Sequence, residues 1–244
     1  MLKLHQYLWG KQQAWDEIVV NAEVDSEIPD LVPTEETSLE ETESSDTSTQ
    51  EPRDTPFFID LRACLGWEDN YEMLGLLHPY FLVREEYLEL DQYLADHPSW
   101  GPILVIGQPG IGEPAFSMLN SNGYQWALLF GSGMTIYLTY CLVKRLVAGQ
   151  PTIFAVSDRD CYAFRDNGVF WTSSSTYQRR TTIDDNVLVL CDLNSRQPQP
   201  VDFGLKMLVV SSLNQQRYKG WYKYTRADMY VMKTWAWEEI YRAR

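Results

Sequence analysis

From Gly101 onward the chain alternates short apolar runs with helical or polar stretches, and this alternation narrows its possible folds more than any other feature. The runs are PILVI ending at Ile106, PTIFAV ending at Val156, NVLVLCD ending at Asp192, LKMLVVSS ending at Ser212 and MYVMK ending at Lys233. Four to six apolar residues rich in Val, Ile and Leu, without strict alternation, are the pattern of strands buried on both faces. Between the first two runs, TIYLTYCLVKRLVA predicts a helix over 135–148, stopped by Gly149 and Pro151. A strand, a helix and a second strand make a crossover unit of a parallel sheet, so an α/β fold with a helix-covered, mostly parallel sheet follows. A hairpin, CYAF then GVFW, is expected around Asp166-Asn167-Gly168.

The first run leads directly into GQPGIG, that is Gly107, Gln108, Pro109, Gly110, Ile111 and Gly112. A glycine-rich turn after a buried strand lets backbone N–H groups curl around phosphate oxygens where a side chain would block the approach. The full pattern, G-x-x-x-x-G-K-[ST], then requires a Lys for the β- and γ-phosphates and a hydroxyl for Mg²⁺. Here Glu113 and Pro114 follow instead. The missing continuation stands about twenty residues on, where Gly133-Met134-Thr135 opens the helix. Joining Gly112 to Met134 restores the pattern except for Met in place of Lys. Residues 113–133 then read as an insertion, either a retained intron, since Gly112-Glu113 and Ser132-Gly133 can encode donor and acceptor sites in one phase, or a genuine surface loop. Sequencing the mature transcript separates the two.

NVLVLCD ends in Asp192, where a carboxylate would hold Mg²⁺ in the Walker-B manner. Thr135 and Asp192 are thus the candidate metal-holding residues, with Asp192 also the catalytic candidate. No Glu follows to activate water; Leu193 and Asn194 stand there. At the end of the next run, Ser211, Ser212 and Asn214 are candidates for a polar sensor of the terminal phosphate, a polar strand end being the alternative.

The remainder of the chain organises around this core. Residues 1–20 suit a short helical element interrupted at Gly10, and 57–100 a helical, aromatic-rich region with a helix over 84–95. Between them, 21–56 holds twelve carboxylates against Arg53 alone, eleven of the fourteen net negative charges. Such a segment buries too little apolar surface to offset its ordering entropy and reads as a disordered linker, with an acidic interaction tract or phosphorylation sites as alternatives. The four cysteines are scattered and form no metal-ligand spacing. His5, His78 and His97 lack surrounding catalytic patterns and suit surface or capping roles. No apolar stretch reaches the roughly 18 residues of a membrane span. These features favour an intracellular protein, cytoplasmic or nuclear, without a membrane partner. Arg179-Arg180 and the run from Arg217 to Arg226 are the compact basic clusters; the second interleaves cations with aromatics as a single-strand binder would, but a packed helix with a solvated basic face explains it better, which disfavours nucleic acid as a partner.

Taken together, YLWG-x-x-QAWDEIV, FFIDLR, LLHPYFLVREEYLELDQYL, PILVIGQPGIG, LTYCLVKRLVAGQPTIF and MYVMKTWAWEEI resemble the fungal Crinkler-like, retrotransposon-hot-spot-type P-loop NTPases. The resemblance implies a P-loop NTPase-like core over 101–244, an ATPase module of the AAA+/STAND kind with ATP and Mg²⁺ as cofactors. It also implies that Arg84, within Val83-Arg84-Glu85-Glu86, lies where such ATPases touch the adenine; ordinary helix-surface pairing is the alternative reading. The family pattern continues into a helical lid, and in some members a nuclease-like effector domain, beyond the point where this chain stops. With the lysine replaced, hydrolysis is expected to be weak or absent. A non-catalytic fragment that uses Trp9 and Trp15 to engage a protein partner or another copy is the competing expectation.

Overall fold

The protein is described by a computed structural model over residues 1–21, 57–65, 74, 76, 79–96, 101–107, 133–173, 186–193, 200 and 203–234. The acidic segment from 22 to 56, Gln108 to Gly112, the insertion up to 132, Asn194, Arg179-Arg180, His78 and His97 lie outside the described residues.

The amino-terminal element is two helices, α1 (Leu2–Leu8) and α2 (Gln12–Ile18), broken at Gly10 as expected. Gly10 has φ of +65°, a left-handed conformation that a Cβ would strain. Its N–H donates to the Leu146 carbonyl at 2.9 Å. Leu4, Leu8, Ala14 and Ile18 are buried at helical spacing, so one stripe of this element faces the body of the protein. The chain continues as β1 (Val19–Asn21), β2 (Phe57–Asp60), α3 (Arg62–Leu65) and β3 (Tyr80–Val83). The three strands form an antiparallel sheet in the order β1-β2-β3. The expectation of a helical region over 57–100 is therefore corrected: it begins with two strands. FFID and YFLV are too short to show a period, and β1 meets β2 only across the intervening acidic segment. Helix α4 (Glu85–Asp96) matches the expected helix, with Glu85 and Glu86 in the first turn, where carboxylates favour the positive end of the helix dipole. His97-Pro98 follows its last residue, and proline disfavours a helical predecessor.

The main sheet has seven strands in the order β10-β4-β9-β8-β5-β6-β7. They are β4 (Ile103–Gly107), β5 (Thr152–Ala155), β6 (Asp160–Arg165), β7 (Gly168–Ser173), β8 (Leu188–Leu193), β9 (Lys206–Ser212) and β10 (Asp228–Val231). The first five in spatial order are parallel, and β6 and β7 add an antiparallel hairpin on β5. All five apolar runs are strands of this sheet. The hairpin is also where it was expected, and it extends the sheet at β5. Every residue of β4 and β5 is buried, because both faces are covered.

Strand alternation divides the core. Ile103, Val105, Leu190, Leu208 and Val210 face helix α5 (Gly133–Val147), which carries Tyr137, Leu138 and Leu142 into the same cluster. Leu104, Ile106, Val189, Cys191 and Val209 face the other way. That second face is covered by Tyr218 and by Trp221 and Tyr222 of α6 (Lys219–Thr225), which follows a 3-10 turn (Gln215–Arg217). The basic run is thus a packed helix, with Lys219, Lys223 and Tyr224 exposed.

Two anchors lock α5 in place. At its carboxyl end Arg145, mostly buried, donates to Thr152 Oγ1 and to the carbonyls of Pro151 and Asn186 at 2.8 to 2.9 Å, joining the α5 exit to the start of β8. Burial of this guanidinium pulls its pKa down to about 10. Along the face toward α4, Asp91 accepts hydrogen bonds from the buried Tyr137 (3.1 Å) and Tyr140 (3.0 Å) and forms an ion pair with Lys144. The three donors fall on one stripe of α5, so a single carboxylate pins α4 along it.

Trp9 and Trp15, the aromatic residues of the amino-terminal element, are partly buried and make ring contacts within the chain. Trp15 packs against Phe57 and Tyr140, with ring centroids 6.2 and 6.3 Å apart, and Trp9 lies 4.8 Å from His5. His5 is buried rather than superficial, and its Nε2 donates to the Arg165 carbonyl at 2.7 Å, tying α1 to the β6–β7 hairpin. Among the described residues, no helix is long and apolar enough to cross a membrane.

Candidate functional site

Five parallel strands bring their carboxyl ends to one edge, the place where open α/β sheets build ligand sites. Register pairs Gly107 with Ser212 and Leu193 with Ser211. β9 therefore lies between the glycine-loop strand and the strand that ends in the acidic residue.

Three candidate residues converge there. The Thr135 hydroxyl donates to Asp192 Oδ2 at 2.8 Å, so the first turn of α5 is tied to the end of β8. Asp192 shares its strand parity with Leu188 and Leu190, which puts it on the α5 face. Met134 is buried against Gly107: a Cβ on that glycine would stand 3.3 Å from Met134 Sδ and 3.3 Å from Met232 Cβ. The end of β4 and the start of α5 meet although 25 residues separate Gly107 from Gly133 in the sequence. A side chain at 107 would be crowded because Met134 and the chain just beyond β10 lie against it, with the Met232 N–H donating to the Ile106 carbonyl at 2.8 Å.

The pair Thr135 and Asp192 offers one hydroxyl and one carboxylate. That donor set fits Mg²⁺ with phosphate and water completing the shell, the usual manner in which this ion is held. No larger cluster of three His, Cys, Asp or Glu side chains occurs among the described residues. Met134 has no charge and no donor for a phosphate, so the lysine function is missing from the position where the pattern requires it.

The sensor candidates separate. Ser211 is buried on the α6 face, and its Oγ has no hydrogen-bond partner among the described residues. Ser212 shares the parity of Leu208 and Val210 and is on the α5 face, at the edge. Asn214 is exposed, and its Oδ1 accepts the Gln216 N–H at 3.1 Å as the cap of the 3-10 turn. Its side chain is thus occupied in shaping the turn.

Arg84 is not on a solvated helix surface. It precedes α4, is 2% exposed, and donates to the Thr234 carbonyl at 3.2 Å and more weakly to that of Lys233 at 3.5 Å. Beside it, buried Glu86 accepts from the Tyr230 hydroxyl (2.9 Å) and the Lys233 N–H (3.2 Å). Burial and this bond raise the Tyr230 phenol well above its ordinary pKa. Arg84 and Glu86 together fasten the exit of β10 to the start of α4, beside the edge where Gly107 and Met134 meet.

One residue at this edge escaped the sequence reading. Arg217, within the basic run, directs Nη1 to the Leu193 carbonyl at 2.8 Å, one position beyond Asp192. Its signal was its distance of three residues from the capping Asn214, which turns the chain back toward the sheet. No family model, curated protein or solved structure matches this chain.

Proposed function

We propose that the chain is a nucleotide-binding module of the Crinkler-like P-loop NTPase kind, with ATP and Mg²⁺ as its ligands and with weak or absent hydrolysis. The observation that carries this reading is the hydrogen bond between Thr135 and Asp192 at the carboxyl edge of a parallel sheet, with Asp192 two strands across from the one that enters GQPGIG. A hydroxyl on the first turn of the helix and a carboxylate two strands away are the two protein groups that a nucleotide-bound Mg²⁺ needs, and they are already together. The placement of β9 between them and the glycine strand supports the reading further, since its polar end would lie near the terminal phosphate of a bound nucleotide.

Within this proposal Gly107 to Gly112 would supply backbone N–H groups to the phosphates, and Thr135 and Asp192 would orient the ion. The buried Met134 lowers affinity because no ammonium balances the phosphate charge. The described residues include no base next to Asp192 to activate water, since Leu193 follows it with its side chain buried. Binding without efficient turnover is the chemistry that results.

Thermal denaturation with Mg-ATP tests the proposal. Ligand at ten times its Kd stabilises a folded state by about 1.4 kcal/mol, a rise of roughly 3 to 6 °C for a chain of this size. A saturable rise, larger in Met134→Lys and smaller in Asp192→Asn, is expected. Flat melting curves in both the wild type and Met134→Lys would overturn the nucleotide reading and leave a non-catalytic interaction fragment in its place.

A further inference from the structure

We infer that Arg217 supplies the positive charge for the terminal phosphate that Met134, at the lysine position, does not. The inference rests on the nucleotide reading and goes beyond it by assigning the compensating cation.

Four observations carry it. Arg217 is tied to the carbonyl of Leu193, the residue immediately after Asp192, so its guanidinium stands at the same sheet edge as the Thr135 and Asp192 pair. Asn214 caps the 3-10 turn through the Gln216 N–H, and the Arg217 N–H donates to the Asn214 carbonyl at 3.1 Å, so the backbone that projects the side chain is set by two local bonds. Among the described residues, no carboxylate pairs with Arg217, and the Leu193 bond occupies one of its five N–H donors. Arg84, the buried arginine near this edge, is directed at backbone carbonyls beyond β10, whereas Arg217 is only partly buried.

Electrostatics gives the arrangement its direction. A guanidinium in a planar fork suits phosphate oxygens, and its charge is fixed at every physiological pH. Thr135 and Asp192 would hold the Mg²⁺ of a bound Mg-nucleotide. On this account the guanidinium held at Leu193 would act on the γ-phosphate, the group by which ATP differs from ADP. Asn214, read from the sequence as the sensor, is on this account a positioning residue for Arg217.

Isothermal titration of the full chain with Mg-ATP and Mg-ADP provides the test, in the wild type, Arg217→Gln and Arg217→Lys. Arg217→Gln retains a donor for the Leu193 carbonyl but removes the charge, and it is expected to lower ATP affinity about tenfold while ADP affinity stays within about twofold. Arg217→Lys, which keeps the charge without the fork, is expected to fall between, with about threefold loss for ATP. Circular dichroism melting confirms that each variant is folded, and if Arg217→Gln is not, the lysine variant decides alone. An ATP-to-ADP affinity ratio unchanged in the folded variants overturns the inference and leaves the nucleotide reading standing. A wild-type chain that binds neither nucleotide overturns both.

Discussion

The hydroxyl of Thr135 donates a 2.8 Å hydrogen bond to Asp192, joining the first turn of the long helix to the end of a strand that lies two places across the sheet from the one preceding that helix. This bond fixes the spacing between α5 and β8 at the edge where the candidate ligand groups gather. Hydrogen bonds to a charged acceptor contribute about 1.5 to 3 kcal/mol. Thr135→Val is accordingly expected to lower unfolding free energy by roughly that amount, and Thr135→Ser to stay within about 0.5 kcal/mol of wild type, as urea denaturation would read. A Thr135→Val protein as stable as the wild type would mean that the bond has no net worth.

Gly107 is pressed between Met134 and Met232. Adding a methyl there overpacks the edge, and Gly107→Ala is expected to destabilise the protein by about 1 to 2 kcal/mol. Combined with Met134→Ala, which opens space at the same point, the loss should be clearly less than the sum of the two single losses. A double-mutant cycle in urea measures this coupling, and strict additivity would show that the two residues do not share the space.

Asp91 holds α4 on α5 through Tyr137, Tyr140 and Lys144. Tyr137 is fully buried, so removing Asp91 takes a strong acceptor from its phenol. Asp91→Ala is expected to cost about 2 to 3 kcal/mol, at least as much as the pair Tyr137→Phe and Tyr140→Phe, in which donors and their desolvation are removed together. Faster amide exchange along 85–96 in Asp91→Ala would localise the loss to α4.

Alkaline pH should weaken the fold. Burial raises the Cys64 thiol to about 12 and holds the Tyr137 phenol well above its ordinary value. The folded state thus keeps protons that the unfolded chain releases, near 9 for the thiol and 10 for the phenol. Stability from these groups is complete below those values and is lost as pH rises toward the folded pKa values. Arg145 acts in the opposite sense, but only above about 10. Melting temperature is expected to decline from about pH 9, and Cys64→Ala should delay the onset. A decline unaltered by Cys64→Ala would assign it to other groups.

Much of this architecture was legible in residue order. The runs PILVI, TIFA, LVLCDL and KMLVVSS are apolar because both faces of a central sheet are covered, so these parallel strands could be placed without knowledge of their neighbours; DMYV, at the sheet edge, keeps Met229 and Val231 exposed. The same holds for α5, whose apolar stripe and terminal Gly149 are local features, and for Gly10, whose positive φ marks the break between α1 and α2. Thr135 and Asp192 were legible as residue types at suggestive positions. Their meeting was not, because it depends on which strands are neighbours, and strand order is set by packing between segments far apart in the chain.

Tertiary structure alone decided the rest. β1, β2 and β3 are too short to declare themselves, and each exists because another strand supplies its hydrogen bonds. His5 and Arg84 look like surface residues in sequence and are buried because carbonyl groups from remote segments satisfy them. Asn214 was read as a ligand group, but its local bond to Gln216 makes it a cap, and the turn it shapes delivers Arg217 to Leu193. What the sequence determined by itself was local: periodicity, glycine placement and the identity of each reactive group. Which of those groups share an edge was decided only by the folded chain, since long-range packing rather than spacing selects the partners of buried polar atoms.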